Sequence, residues 1–251
     1  EVAKRVIGYI TENCKKKYIV NFLGMQAKTP SDRVIFAFTI EQAAIEVVKL
    51  ARKKDASLLL QQPEIEEISR QEVKQLTKQQ KYIRGIFSGG TLCSEAQVVL
   101  RNDYLQLHGL YSNVPIENVV QLKDARKSQL HTFIDLGADE FTLGRPHPMI
   151  DNSLRCERII QEAKDPEVAV ILFDVMLGYG VPPDPVGELC NAIVESQQIA
   201  NNENRHISFI AHLCGTENDP QNFNQQLEKL KSVGVRVLMT NAQAAKLAGE
   251  I

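Results

Sequence analysis

Four short stretches hold the residues whose types and spacing could do chemistry. The first is Ser88-Gly89-Gly90-Thr91, set between an apolar run and a helix-like one. Two glycines at a strand-to-helix turn mean either a tight turn or bare backbone against which an anion can sit. A helix start offers unpaired N–H groups and a partial positive charge to phosphate or carboxylate. Thr91 or Ser88 can add a hydroxyl or cap the helix. The second stretch is Asp135 to Asp151, where Gly137 follows a strand and Gly144-Arg145-Pro146-His147-Pro148 forms a loop stiffened by two prolines. Arg145 can grip phosphate or carboxylate through paired hydrogen bonds. His147 can transfer a proton or carry a group. The third, Phe173 to Pro185, puts Asp174 inside an apolar strand, where an acid is costly unless paired. Gly178 and Gly180 there allow close approach. The fourth ends a strand with Gly215 and Thr216, after His212.

These residues sort into two expected roles. Arg145, His147 and Asp174 are the candidate catalytic groups. Ser88, Gly89, Gly90, Thr91, Gly137, Gly144, Gly178, Gly180, Gly215 and Thr216 are the candidate phosphate binders. Each also has a plain structural reading: a capped turn, a surface loop, a satisfied buried acid. His212 on its apolar strand reads as a core residue, and His108, His131 and His206 carry no pattern.

The elements that must position them follow a clear rhythm. Strands are expected at Tyr82–Phe87, His131–Leu136, Val168–Val175, Ile207–Leu213 and Val235–Met239. Most are continuous apolar runs, as in strands buried on both faces. Helix-length amphipathic stretches alternate with them, which is the pattern of a doubly wound α/β fold with a parallel sheet. Ligands of such sheets bind beyond the carboxyl ends of the strands, and all four stretches fall there. Residues 1–54 read as the end of a second α/β unit, the last half of a domain, with strands Tyr18–Gly24 and Val34–Thr39. Thr39-Ile40-Glu41-Gln42-Ala43-Ala44 and Thr240-Asn241-Ala242-Gln243-Ala244-Ala245 share the pattern T-x-x-Q-A-A, which suggests a duplicated unit. Residues 55–81, rich in Gln, Glu and Lys, read as an exposed, partly helical linker. Residues 82–251 form the main domain. The start at Glu1, directly in a helical pattern, reads as a cut end.

Composition narrows the class. The chain has 251 residues, 43% hydrophobic, enough for a sizeable core. A net charge of −2, no tryptophan and 6% aromatics disfavour a nucleic-acid platform. No apolar run approaches a membrane span. Five scattered cysteines read as reduced, small buried residues of a cytoplasmic protein, without metal-ligand spacing. No Walker A, GxGxxG, GxSxG or HExxH motif occurs.

Taken in order, "GIFSGGTLCSEA", "IDLGADEFTLGRPHPMID", "DPEVAVILFDVMLGYGVPPDP" and "GTENDPQ" resemble the FdrA family, acyl-CoA synthetase-like proteins related to succinyl-CoA synthetase. The likeness covers nearly the whole chain, and "GRPHPMID" is its most specific block. The resemblance implies that residues 82–251 are a flavodoxin-like CoA-ligase domain. It implies that residues 1–54 correspond to the end of the second domain of the synthetase alpha subunit. In the related nucleotide-dependent synthetases a phosphohistidine relays phosphate, and ligase-type helix starts grip that phosphate. Ser88, Gly89, Gly90 and Thr91 match such a start. Residues 1–54 contain no histidine, and no stretch resembles the CoA-binding domain or an ATP-grasp module. The implied ligands are therefore those of a longer protein: CoA, a nucleotide, or acyl or carbamoyl phosphate, none held by these residues alone. The implied partners are a small phosphorylated or acyl metabolite, the protein's N-terminal domains, and further copies or subunits in an oligomer. Two activities follow: an acid–thiol ligase inactive without its other domains, or a carbamoyltransferase component of oxamate or allantoin breakdown. A non-catalytic assembly subunit is the third option.

Overall fold

The computed structural model describes residues 2–25, 33–52, 64–104 and 109–251. They belong to two compact units, Glu1–Gln61 and Gln62–Ile251. In the first, helix α1 (Val2–Asn13) leads to strand β1 (Tyr18–Val20), and strand β2 (Val34–Phe36) leads to helix α2 (Ile40–Arg52). The strands pair in parallel with Tyr18 opposite Val34. Ile7, Val20 and Val34 form the small core. Arg33 donates to the carbonyls of Cys14 and Thr11 (2.7 and 3.2 Å), satisfying acceptors that a helix end leaves open.

The second unit carries the sheet. Its elements are α3 (Ile65–Val73), β3 (Tyr82–Phe87), α4 (Gly90–Asp103), β4 (Leu110–Ser112), β5 (Val120–Gln121), β6 (His131–Asp135), α5 (Asp139–Thr142) and α6 (Ser153–Ala163). They continue with β7 (Val168–Met176), α7 (Gly187–Asn202), β8 (Ser208–Cys214), α8 (Phe223–Ser232), β9 (Arg236–Leu238) and α9 (Asn241–Glu250). Seven strands lie in the order β5-β4-β6-β3-β7-β8-β9, every pairing parallel. Without the short edge pair β5–β4, the order is that of a flavodoxin-like sheet, as the alternating runs predict. The two edge strands are new: two or three residues are too few to show a period.

Apolar strands demand cover on both faces. Ile86, Ile134, Ile171 and Phe173 pack with residues of α6, α7 and α8. Phe87, Phe133, Leu172 and Ile210 pack with α4 and α9 on the other side. Gly85 is required there. A Cβ on it would lie 2.4 Å from Phe133 Cδ1 and 2.8 Å from Phe87 Cε2, inside the stacked phenylalanine pair. Next to Gly85 on β3, Arg84 meets Glu162 (2.8 Å) and Asp165 (2.6 Å). Arg158 shares the Glu162 carboxylate at 2.5 Å, so one buried acid serves two buried guanidinium groups. Only Cys93 of the five cysteines is wholly buried; the other four, expected inside, are half-buried. Among the described residues, no helix is long and apolar enough to cross a membrane.

The expected linker changes character. Residues 55–63 lie outside the described residues. Over Ile65–Val73 the segment is helical, with one face packed and the other exposed. Ile65 and Ile68 join the core beside α9, and Ser69 donates to the Glu250 carbonyl at 2.7 Å. Gln80 donates to the carbonyls of Val168 (2.7 Å) and His206 (2.5 Å). Three of the segment's polar residues, Ser69, Glu72 and Gln80, are buried, while most of its Glu, Gln, Lys and Arg side chains are exposed, as the composition suggests. The T-x-x-Q-A-A match also has a local cause. Thr39 Oγ1 accepts from the Gln42 N–H (3.0 Å), and Thr240 Oγ1 accepts from the Gln243 N–H (3.1 Å). In the first, Gln42 Oε1 also accepts from the Phe38 N–H (2.8 Å). T-x-x-Q is a capping signal, and it recurs because two helices start in the same way.

Glu72 on α3 is the buried anchor of this segment. Its carboxylate accepts from Ser208 Oγ (2.7 Å) and Arg236 Nε (2.8 Å), and its Oε2 lies 2.8 Å from His206 Nε2. Burial pushes this acid up, but the hydrogen bonds of His206, Ser208 and Arg236 outweigh it and hold the group at about 2, against 4.5 when free. A depressed acid stabilises the fold above its free pKa, and that contribution is lost as pH falls through the folded value. Glu72→Gln should therefore cost about 2–3 kcal/mol at neutral pH. The deficit should shrink below pH 4.5 and vanish near 2. Denaturant melts of both proteins across this range check it; a deficit independent of pH would refute the assignment.

Candidate functional site

The chain leaves β3 toward β6 through α4 on one face and reaches β7 through α6 on the other. The carboxyl ends of β3 and β7 thus form the topological switch point, where a doubly wound sheet usually opens a crevice. Here the crevice is bridged. The Ser88 N–H donates to Asp174 Oδ1 (2.8 Å), and its hydroxyl donates to Oδ2 (2.5 Å). Arg155 Nη2, from α6, donates to the Asp174 carbonyl and reaches Oδ1 at 3.4 Å. Asp174, Ser88 and Arg155 are all buried. Asp174, expected among the reacting groups, is instead a cross-brace between strands, with both oxygens occupied. Ser88 likewise spends its hydroxyl inward and does not cap α4.

The open part of the edge lies between β3 and β6. Gly89 is the N-cap of α4, in extended backbone, and no side chain caps the helix. Gly90 and the exposed Thr91 follow it at the helix start. Gly137 brings the neighbours together. A Cβ there would lie 2.6 Å from His147 Nε2, 2.8 Å from the Ser88 carbonyl oxygen and 3.1 Å from Asp135 Oδ1. Gly90 is similarly close to Asp135: its Cβ would stand 3.0 Å from Oδ2. His147 is fixed by its other nitrogen, Nδ1, which accepts from the Met149 N–H at 3.2 Å. Its Nε2 is thereby left toward Gly137.

Asp135 is the residue that sequence reading missed. It closes β6, its Oδ1 accepts from the Gly137 N–H (2.8 Å), and its backbone is held by Asn113. Burial raises its pKa, and the Asp174 charge adds to the rise, against the Gly137 bond and His147. A signal was present: an acid ending an apolar strand, two residues before a glycine.

The other expected residues sit apart. Arg145 does not join His147; it lines a cavity beside α6. Gly144 and Gly180 take positive φ (75° and 84°) with open space around them, so they serve turns. Gly178 exchanges hydrogen bonds with Gln221 through both its N–H and its carbonyl (3.0 and 2.7 Å). Gly215 leaves room for Leu177, whose Cβ would be 2.7 Å from a side chain there. The Thr216 N–H donates to Asp219 Oδ2 (2.6 Å) in a local turn. Gly178 and Gly215 thus knit the loops after β7 and β8 to one another. His212, read as core, stands 3.3 Å from the Leu238 carbonyl, and burial lowers its pKa. His206 and His131, which showed no pattern, are both engaged: His206 with Glu72, and His131 as acceptor for the Ile83 N–H (3.3 Å). His108 lies outside the described residues. No group of three or more metal-ligating side chains occurs among the described residues.

A parallel sheet with this strand order and a glycine-rich helix start at its carboxyl edge is the architecture of a flavodoxin-like α/β domain. Residues 86–251 match the CoA-ligase family, and the chain belongs to it. The chain is also similar to a protein of Escherichia coli (strain K12), "Uncharacterized protein YahF", with 40% identity over 243 residues. The match takes in 94% of this chain but 45% of that protein, so the chain spans less than half of this curated relative's length.

Proposed function

We propose that this chain is the ligase portion of an FdrA-like, succinyl-CoA synthetase-type enzyme, and that it seats a phosphate-bearing intermediate at the start of α4. The observation that carries the reading is the uncapped Gly89–Gly90 helix start with His147 Nε2 and Asp135 beside it. Backbone N–H groups would orient the anion, and the helix field would favour its charge. Gly137 lets His147 approach without a side chain between them. His147 would donate a hydrogen bond to the anion, while Asp135 limits how much negative charge the seat accepts. CoA and nucleotide would be supplied by other parts of the enzyme, in an oligomer or a longer chain.

Calorimetry with inorganic phosphate and carbamoyl phosphate tests this on the wild type and on Gly90→Glu. Glutamate at a first helical position suits the helix field, but its Cβ would stand 3.0 Å from Asp135 Oδ2, so the comparison requires that the variant's circular dichroism match the wild type's. Its carboxylate would occupy the seat beside Asp135. Phosphate should bind the wild type and weaken roughly 100-fold in the variant, the loss of about two charge-assisted hydrogen bonds. Absence of phosphate binding to the wild type, or equal binding by both proteins, refutes the seat. Tighter binding of carbamoyl phosphate than of phosphate would favour the carbamoyltransferase reading.

A further inference from the structure

Arg145 has no part in the α4 seat, and where it lies is informative. It lines a cavity of about 320 Å³ formed by α5, the loop after it, and α6. That volume is at the lower end of small-molecule sites. Arg126, Arg145 and Arg158 all contribute to its wall. Arg158 is committed to Glu162, Ser128 and the Ala125 carbonyl. Arg126 and Arg145 form no ion pair among the described residues, although both line one solvent-open cavity with Phe141, Leu143 and Leu154. Leu143 is 91% exposed, an apolar side chain left in water at the same cavity.

We propose that this cavity binds a small monocarboxylate with an apolar body. Its carboxylate would be held by Arg145 and Arg126, and its chain by Phe141, Leu143 and Leu154. Charge selects the ligand class. Glu140 and Glu157 also line the cavity and balance the two unpaired guanidinium groups. A polyphosphate would therefore meet no surplus of positive charge, whereas one carboxylate can take a bidentate partner. This site is separate from the α4 seat, and the two are tested by different variants.

Hexanoate is the probe, added to the 251-residue chain and followed by leucine-methyl NMR. The methyls of Leu143 and Leu154 should shift, with a dissociation constant on the order of 1 mM, in keeping with so small a ligand. Arg145→Leu, at an exposed position, should weaken binding about tenfold or more. Gly90→Glu should leave it unchanged. Hexan-1-ol, lacking the charge, should bind about tenfold more weakly than hexanoate. The wild-type spectra decide the question even if a variant misfolds. No movement of the Leu143 and Leu154 methyls overturns the proposal. So does equal binding by Arg145→Leu, loss of binding in Gly90→Glu, or equal binding of the alcohol.

Discussion

Asp174→Ala is expected to destabilise the ligase unit by about 3–5 kcal/mol, the cost of removing one partner of a buried ion pair. The reason is what remains. Arg155 would stay buried without its counter-charge, and its Nε is already without an acceptor among the described residues. The Ser88 N–H and hydroxyl would both lose their acceptor. Asp174→Asn keeps the shape but presents one donor where two acceptors are needed, so it should cost less than alanine but clearly more than a surface change. Ser88→Ala combined with Asp174→Ala should cost less than the two separately, because both remove the same bonds. Urea melts of the four proteins measure this. A loss below about 1 kcal/mol for Asp174→Ala would mean that the acid is not a brace.

Glu162→Ala should be comparably severe, again about 3–5 kcal/mol. Glu162 accepts from Arg84 Nε, Arg158 Nε and Ser128 Oγ at 2.8, 2.5 and 2.6 Å. Its removal leaves two guanidinium groups in the interior with one acid fewer, and Asp165 answers Arg84 alone. Replacing the whole triad, as Arg84→Met, Glu162→Leu and Arg158→Met, should lose much less than the single change, since the one charge that loses its partner, Asp165, is partly exposed to water. The contrast is the test. If the triple variant is the less stable of the two, the buried charges are net stabilisers and this account fails.

Much of the fold was legible because its signals were long. β3 and β7 are six and nine residues long and mostly apolar, and each is followed by a helix-length stretch. β4 and β5 were not legible, because strands of three and two residues on a sheet edge need no pattern of their own. The site divided in the same way. Glycines at Gly89, Gly90 and Gly137 announced close approach, and each has a near neighbour that explains it. Side-chain roles were harder to read. Asp174 and Asp135 are both acids at the carboxyl end of apolar strands, but one is sealed under Ser88 while the other borders the helix start. Arg145 and His147 are two residues apart, yet His147 turns toward Gly137 and Arg145 toward α6. Sequence proximity fixes neither direction; the prolines beside them set the backbone, and packing chooses the rest.

The manner in which α4 is held has a consequence for how the proposed anion seat would work. Eight consecutive or near-consecutive residues, Leu92, Cys93 and Glu95 through Leu100, are buried between the sheet and α9. A helix gripped on this scale cannot swing out to collect a ligand. It behaves as an anvil: stationary, already shaped, and with no ordering entropy left to spend when an anion arrives. On the proposed reading, any travel would belong to whatever carries the anion to it.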